Sequence, residues 1–176
     1  MTDTGTEAPV EEDAPEPEPT EMHGAPLTRS RGQDVLHPSR ETFVELVETL
    51  RQDGFVMCMD VTAVDYLVDP ARDLPEGVTP ERFEIVVNLF SIEPPRRVRL
   101  RVQVPASDPV VHSLFRVHPG TEAMEREVYD MFGIRFDGHP DLTRILMPEE
   151  WEGHPLRKDY SIGRVPVQFK HPPATR

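Results

Sequence analysis

FEIVVNLFSIEPPRRVRLRVQV, residues 83–104, is the stretch that decides the fold. Phe83, Ile85, Val87 and Leu89 recur with a period of two, and after Glu93-Pro94-Pro95 the same period resumes at Val98, Leu100, Val102 and Val104. That period places each set on one face of an extended strand, and so short a turn brings the second strand back antiparallel to the first. The opposite face of the second strand shows Arg97, Arg99, Arg101 and Gln103, with Arg96 just before them. In a net acidic chain such a basic face reads as a solvated surface or as a docking surface for an acidic neighbour.

Working outward, residues 65–81 contain Pro70, Pro75, Pro80 and Gly77 and read as a long surface connection. Before them, residues 55–64 are apolar on both alternating faces, as in a central strand covered on two sides. Residues 39–54 read as an amphipathic helix: Ser39 as N-cap, Glu41 in the first turn, Phe43, Val44, Leu46, Val47 and Leu50 on one stripe, and Asp53-Gly54 as its end. On the other side of the hairpin, helical character appears at residues 109–115 and more strongly at 121–132. Met124, Val128, Met131 and Phe132 face the core there, which leaves Glu125, Arg126, Glu127 and Asp130 on other faces. Gly133 ends that helix and residues 134–136 make a short extended piece. The order helix, strand, strand, strand, helix predicts an α+β domain over residues 39–136, with helices on one face of an antiparallel sheet.

Residues 1–38 form an acidic, proline-rich tail in which eight carboxylates, from Asp3 to Glu21, precede the first basic residue, Arg29. Such a stretch buries too little apolar surface to offset its ordering entropy and is expected to be disordered when free. The formal net charge of −13 argues against a nucleic-acid partner, which needs a basic surface. Cys58 is the only cysteine, too few for an internal disulfide or for the ligand set of a zinc or iron–sulfur site. No apolar run approaches the length that crosses a bilayer, and the N-terminus lacks the basic-then-apolar pattern of a secretory signal, so the expectation is an intracellular chain without direct membrane insertion.

Residues 137–176 read as an extended C-terminal arm. Gly-His-Pro occurs twice, at Gly138-His139-Pro140 and Gly153-His154-Pro155, and each proline pushes its histidine into an extended conformation. Leu142, Ile145, Leu146, Met147 and Trp151 supply apolar anchors too few for an independent core, so the arm should lie on its own domain or on a partner. Arg126, Arg144 and Arg157 are positioned to pair with Glu127, Asp130, Asp141 or Asp159 and so fix the arm's register.

Glu125-Arg126-Glu127, residues 130–133, Gly138-His139-Pro140-Asp141-Leu142, Arg144-Ile145-Leu146 and residues 151–160 together resemble the signature region of the NuoC-type C subunits of proton-translocating NADH:quinone oxidoreductase, respiratory complex I. Met124 departs from the pattern, standing where many relatives have tryptophan. The resemblance implies a ferredoxin-like α+β domain whose C-terminal arm lies on the D subunit, with the B and I subunits and other chains of the hydrophilic arm nearby. It implies a peripheral position on the cytoplasmic side of the plasma membrane. It also implies a structural role with no catalytic, cofactor-binding or metal-ligating residue, the flavin, iron–sulfur clusters and quinone being held by partner subunits. The interface and structural residues it implies are Glu125, Arg126, Glu127, Asp130, Phe132, Gly133, His139, Pro140, Asp141, Arg144, Leu146, Trp151, His154, Pro155, Arg157, Lys158, Asp159 and Tyr160.

Three other readings compete. One is the equivalent subunit of a membrane-bound hydrogenase or of a dehydrogenase using another donor. Another is a metal-dependent hydrolase built on Glu125, Glu127 and His139, but Glu125 and Glu127 are two apart on a helix and no paired-histidine spacing is present. The third is a nucleic-acid module using residues 96–101, which the net charge opposes.

Overall fold

The computed structural model describes residues 20–161. In chain order the elements are β1 (Glu21–Met22), β2 (Ala25–Ser30), β3 (Gln33–Leu36), α1 (Phe43–Gln52), β4 (Met57–Asp65), β5 (Phe83–Ser91), β6 (Arg96–Val104), β7 (Val110–His112), α2 (Glu122–Phe132) and β8 (Arg135–Asp137), with one 3-10 turn at Pro119–Thr121. One sheet has the strand order β1-β2-β3-β6-β5-β4, antiparallel except where β3 runs parallel to β6; β7 and β8 form a separate parallel pair.

The hairpin of residues 83–104 is the centre of this architecture. Phe83 pairs with Val104 and Ser91 with Arg96, so Phe83, Ile85, Val87 and Leu89 meet Val104, Val102, Leu100 and Val98 on a single face. Ile85, Val87, Leu100, Val102 and Val104 are fully buried there. They share one core with the stripe of α1 (Phe43, Leu46, Val47, Leu50) and that of α2 (Val128, Met131, Phe132). Each fully buried side chain of this kind contributes roughly 1.5–3 kcal/mol. Met124 packs half-buried against the same core. The α+β class with a mostly antiparallel sheet and two helices is what the period-two and period-3.6 patterns require.

Four local expectations change. Ordered structure begins before Ser39: β1, β2 and β3 lie within the stretch read as tail, because short strands such as Val35-Leu36 gain their burial by pairing with β2 and β6 rather than from any local period. Residues 1–19 lie outside the described part of the chain. Ser39 is not the N-cap; Thr42 is, and the Ser39 hydroxyl accepts from the Thr42 N–H at 3.3 Å. The strand read over 55–64 is an edge strand rather than a central one, and Val56, Met57 and Met59 at its start are exposed. Residues 109–115 contain strand β7 instead of a helix, since pairing with β8 outweighs a weak local preference.

The second face of the β5–β6 hairpin is covered in part, leaving Arg96 and Arg97 exposed. The 65–82 connection folds over the end that carries Glu84 and Gln103, and two arginines of that face find internal partners: Arg99 donates to Asn88 at 3.1 Å and Arg101 to Glu84 at 2.7 Å. His37, at the end of β3, is buried with its Nε2 2.9 Å from the Thr28 hydroxyl. Burial, aided by the Arg101 charge and opposed by Glu84, lowers its pKa from 6.5 to about 4. The unfolded chain therefore takes up this proton near pH 6.5 while the folded chain resists until about pH 4, so the contribution is intact above pH 6.5 and is lost as pH falls through that window. Urea unfolding of wild type and His37→Gln between pH 7.5 and 4 is expected to show a steeper decline for wild type; parallel curves would contradict this.

Candidate functional site: a fastened C-terminal arm

Helix α2 is the post to which the arm is tied. Gly133 ends it at φ 71°, its N–H donating to Tyr129 O at 2.8 Å, as a left-handed C-terminal glycine does. The chain then turns back through β8 and runs along the helix it has just left. Its two Gly-His-Pro copies grip opposite ends of that helix. His139 Nε2 lies 3.0 Å from Glu122 O and its Nδ1 accepts from the Asp141 N–H at 3.1 Å. His154 Nδ1 lies 2.9 Å from Asp130 O. Both carbonyls are acceptors only, so His139 donates through Nε2 and His154 through Nδ1. Burial holds His154 below its usual pKa and so favours its neutral form, with the Arg157 and Arg144 charges acting the same way and the bond to the Asp130 carbonyl opposing them.

Asp130 is the principal anchor. Its carboxylate is fully buried; Oδ1 receives Arg144 at 2.6 Å, while Oδ2 receives the N–H groups of Ile145, Leu146 and Met147 at 3.1, 2.8 and 2.8 Å. Burial alone would raise its pKa, but these four donors outweigh it and hold the carboxyl below its ordinary range. Arg144 also donates to Gly153 O at 3.0 Å, which ties the second Gly-His-Pro turn to Asp130 through one guanidinium.

Three further ties complete the arm. Arg126 donates to Thr143 O at 3.1 Å, Thr143 Oγ1 at 2.9 Å and Arg144 O at 3.0 Å. Arg157 donates to Phe132 O at 2.6 Å and stacks over the Phe83 ring. At the far end, the Lys158 N–H donates to the buried Asp65 at 2.9 Å, Arg82 bridges Asp65 and Asp159 at 2.8 Å each, and the Tyr160 N–H donates to Arg157 O at 3.0 Å.

Glu125 faces the other way. It is buried, accepting from the Ser113 hydroxyl at 2.5 Å, the Leu114 N–H at 2.7 Å and the Thr121 hydroxyl at 3.0 Å. Desolvation raises its pKa in spite of those three donors. Its work is to pin the segment after β7 to the first turn of α2.

The structure thus gathers most residues singled out in the sequence but regroups them. Glu125 and Asp130 are buried rather than lying on free faces of the helix, because residues 113–121 and 143–157 cover those faces. Of the three arginines, Arg144 meets a carboxylate, whereas Arg126 and Arg157 bind main-chain carbonyls. Glu127, Pro140 and Asp141 are exposed, and Glu125 and Glu127 do not converge on a common point. Leu142 and Met147 pack on the core, whereas Ile145, Leu146 and Leu156 are turned outward at 42%, 60% and 50% exposure. Trp151 and Pro155 are half-buried, the former beside a cavity of about 570 Å³ that Tyr160 also lines. Asp65, Arg82 and Thr143 escape a reading of the sequence, since nothing near them in the chain foretells a partner 15 or more residues away. Among the described residues no group of three or more His, Cys, Asp or Glu could hold a metal, and no helix is long and apolar enough to cross a membrane.

Close packing makes Gly133 sensitive. A Cβ there would lie 2.5 Å from His154 Nε2 and 2.9 Å from Arg157 at a φ that side chains disfavour. Gly133→Ala is expected to cost about 1–3 kcal/mol by thermal unfolding and to loosen His154 first. A change below about 0.5 kcal/mol would mean that the arm yields freely.

Comparison with known proteins bears on these same residues. Residues 36–165 match a family described as respiratory-chain NADH dehydrogenase, 30 Kd subunit. The C subunit of the NADH-quinone oxidoreductase of Saccharopolyspora erythraea is 44% identical over 147 residues, covering 82% of this chain and 55% of that protein. Its counterpart in Salinispora arenicola is 46% identical over 143 residues, covering 80% and 55%. The chain therefore spans about half the length of the curated relatives it matches. Among solved structures, a trypsin-resistant fragment of Nqo5 superposes with a TM-score of 0.61 at 34% identity, over 68% of this chain and 90% of that one. A chain of the membrane-bound sulfane sulfur reductase, an archaeal respiratory membrane complex, superposes with a TM-score of 0.65 at 18% identity, over 86% and 90%, and so shares the fold.

Proposed function

The chain belongs to the 30 Kd subunit family of respiratory-chain NADH dehydrogenase, and from that premise we propose that it is a structural subunit of the hydrophilic arm of a proton-translocating NADH:quinone oxidoreductase. The observation that carries the reading is the arm's two-sidedness. Its polar groups are consumed inward on Asp130, Asp65 and the ends of α2, while Ile145, Leu146 and Leu156 face outward. A strap held this firmly with apolar side chains in water is shaped for a second polypeptide.

In this reading the D subunit lies against the arm, with the B and I subunits nearby, and the complex is peripheral on the cytoplasmic side of the plasma membrane. Flavin, iron–sulfur clusters and quinone sit on the partner chains, and this chain contributes placement rather than bond-making: a rigid cover fixes the spacing that electron transfer between those chains depends on. The fold alone does not choose the electron donor or acceptor, since a sulfane sulfur reductase chain shares it at 18% identity. The identity of 44–46% across four-fifths of the chain favours NADH and quinone over the hydrogenase-type alternative.

The test is gentle purification through a tag on this chain, with mass-spectrometric identification of its companions. Cofactor-bearing dehydrogenase chains are expected; recovery as a lone monomer would overturn the proposal. Arg144→Ala is expected to lower the yield of complex severalfold. Normal yield together with normal stability would show that the arm's outer surface does not need this guanidinium.

A further inference from the structure

The fold divides the basic strand face seen in the sequence. Arg99 and Arg101 are spent on Asn88 and Glu84, whereas Arg96 and Arg97, at the start of β6, are exposed. Together with Arg31, on the turn between β2 and β3, they line a groove of about 480 Å³ at the end of the sheet. Among the described residues none of the three forms an ion pair with a carboxylate. Arg96 donates to the Asp53 carbonyl at 3.1 Å, Arg97 meets only the Phe90 ring, and Arg31 has no partner. The carboxylates close by are engaged elsewhere: Asp34, which lines the same groove, holds Arg29 at 3.1 Å, and Asp53 lies 2.8 Å from His23 Nε2. In a chain with 32 carboxylates and 19 lysines and arginines, three guanidiniums without one are a conspicuous surplus of positive charge.

Two of these guanidiniums are held in place. Arg96 lies over the Phe55 ring at 4.9 Å and Arg97 over the Phe90 ring at 5.8 Å, contacts that orient the planar head and leave its N–H edges available. Because Arg96 and Arg97 are successive residues leaning on different rings, they border the groove instead of closing on one compact anion. An apolar step adjoins them. Met57, Phe90 and Arg97 stand directly opposite one another across β4, β5 and β6 and so share a face. Met57 is exposed, as are Val56 before it and Ile92 in the β5–β6 turn. Charge and apolar surface therefore meet at one end of the sheet. A nucleic acid or an anionic lipid surface spreads its phosphates far wider than this groove and would confront the rest of a chain of net charge −13. A short acidic stretch of polypeptide meets only the arginines.

We infer that this groove is a second docking site, separate from the arm, for an acidic segment of another polypeptide, with its carboxylates on Arg31, Arg96 and Arg97 and an apolar side chain on the Met57–Phe90 step. Guanidinium and carboxylate match as planar, two-pronged groups, and the stacked rings reduce the freedom lost on pairing. The inference rests on the chain being one subunit of an assembly and gives it a contact that the arm does not make.

The test uses the complex purified through a tag on this chain, with Arg31→Lys or Arg97→Lys, which keep the charge and supply a primary amine. A carbodiimide joins an amine only to a carboxylate in direct contact with it, and the native lysines, Lys158 and Lys170, lie elsewhere in the sequence. The new amine should be found by mass spectrometry linked to an aspartate or glutamate of another chain. A link to this chain's own residues 1–19 or to a second copy, or no link in an intact complex, overturns the inference while leaving the subunit reading standing; a lone monomer overturns both. Arg31→Glu combined with Arg97→Glu should lower the yield of complex severalfold with thermal unfolding of the chain unchanged, and reversing the linked carboxylate to lysine should restore it. An unchanged yield, or no restoration, overturns the ionic pairing.

Discussion

Asp130→Ala is expected to release the arm while leaving the sheet folded, at a cost of about 3–5 kcal/mol. One fully buried carboxylate receives a guanidinium and three consecutive backbone N–H groups, from Ile145, Leu146 and Met147. Removing it leaves the Arg144 side chain, 15% exposed, without its counter-charge and three donors without their acceptor. Asp130→Asn keeps one acceptor oxygen but turns an amide donor toward Arg144 or the N–H groups, so its cost should be intermediate. The readout is local: amides of residues 145–147 lose protection and proteases cut between residues 142 and 150, while the β5–β6 hairpin keeps its slow exchange. A uniform loss of protection across the whole chain would show instead that arm and sheet unfold as one. The acid limit follows from the lowered pKa of Asp130. Its contribution is complete above the ordinary aspartate value of 3.8 and is lost as pH falls from there through the folded value. Asp65 and Asp159 are lowered in the same way, so the arm's ionic ties should fail together in strong acid.

How much of this is legible in the sequence depends on whether the cause of each feature is local. Period two in residues 83–104 and the apolar stripe of α2 survive into the structure because each element's burial is decided by its own side chains. Gly133 is legible as a helix end for the same reason. β3 and β7 are not, because a short strand owes its existence to the ladder it joins: Val35 is fixed by pairing with Thr28 and Arg99, and Val111 by Phe136. The extent of β4 misleads for a related reason. Apolar residues on both faces suggest a covered strand, yet Met57 and Met59 sit on an open edge at 41% and 49% exposure. At the site, residue types are readable and pairings are not. Charge and spacing nominate Asp130 and Arg144, but that Arg126 and Arg157 bind carbonyls depends on where the chain returns after Gly138.

The buried Glu84 cluster should respond as strongly as Asp130, and it reaches the arm from the opposite side. Glu84 is 1% exposed on β5; Oε1 accepts from Arg101 at 2.7 Å, and Oε2 accepts from Gln103 at 2.6 Å and lies 3.4 Å from Arg72 Nε. Arg72, itself 8% exposed, is held by the Glu81 carbonyl at 2.8 Å, by Gln103 Oε1 and by the face of Tyr66. Glu84→Leu would strand two guanidinium groups in a poorly solvated layer, a cost of about 3–5 kcal/mol by urea unfolding. Replacing Arg101 by Leu as well removes one of those stranded charges, so the double variant should recover part of the loss. A single-variant loss under about 1 kcal/mol would mean that water already reaches these charges. The effect should also travel. Arg72, Tyr66 and Glu81 belong to the 65–82 connection, whose two ends carry Asp65 and Arg82, and those two residues hold the Lys158 N–H and Asp159. Loosening the connection therefore weakens the arm at its far end even though Asp130 is untouched, and Glu84→Leu should raise exchange at Lys158 before it raises exchange at residues 145–147.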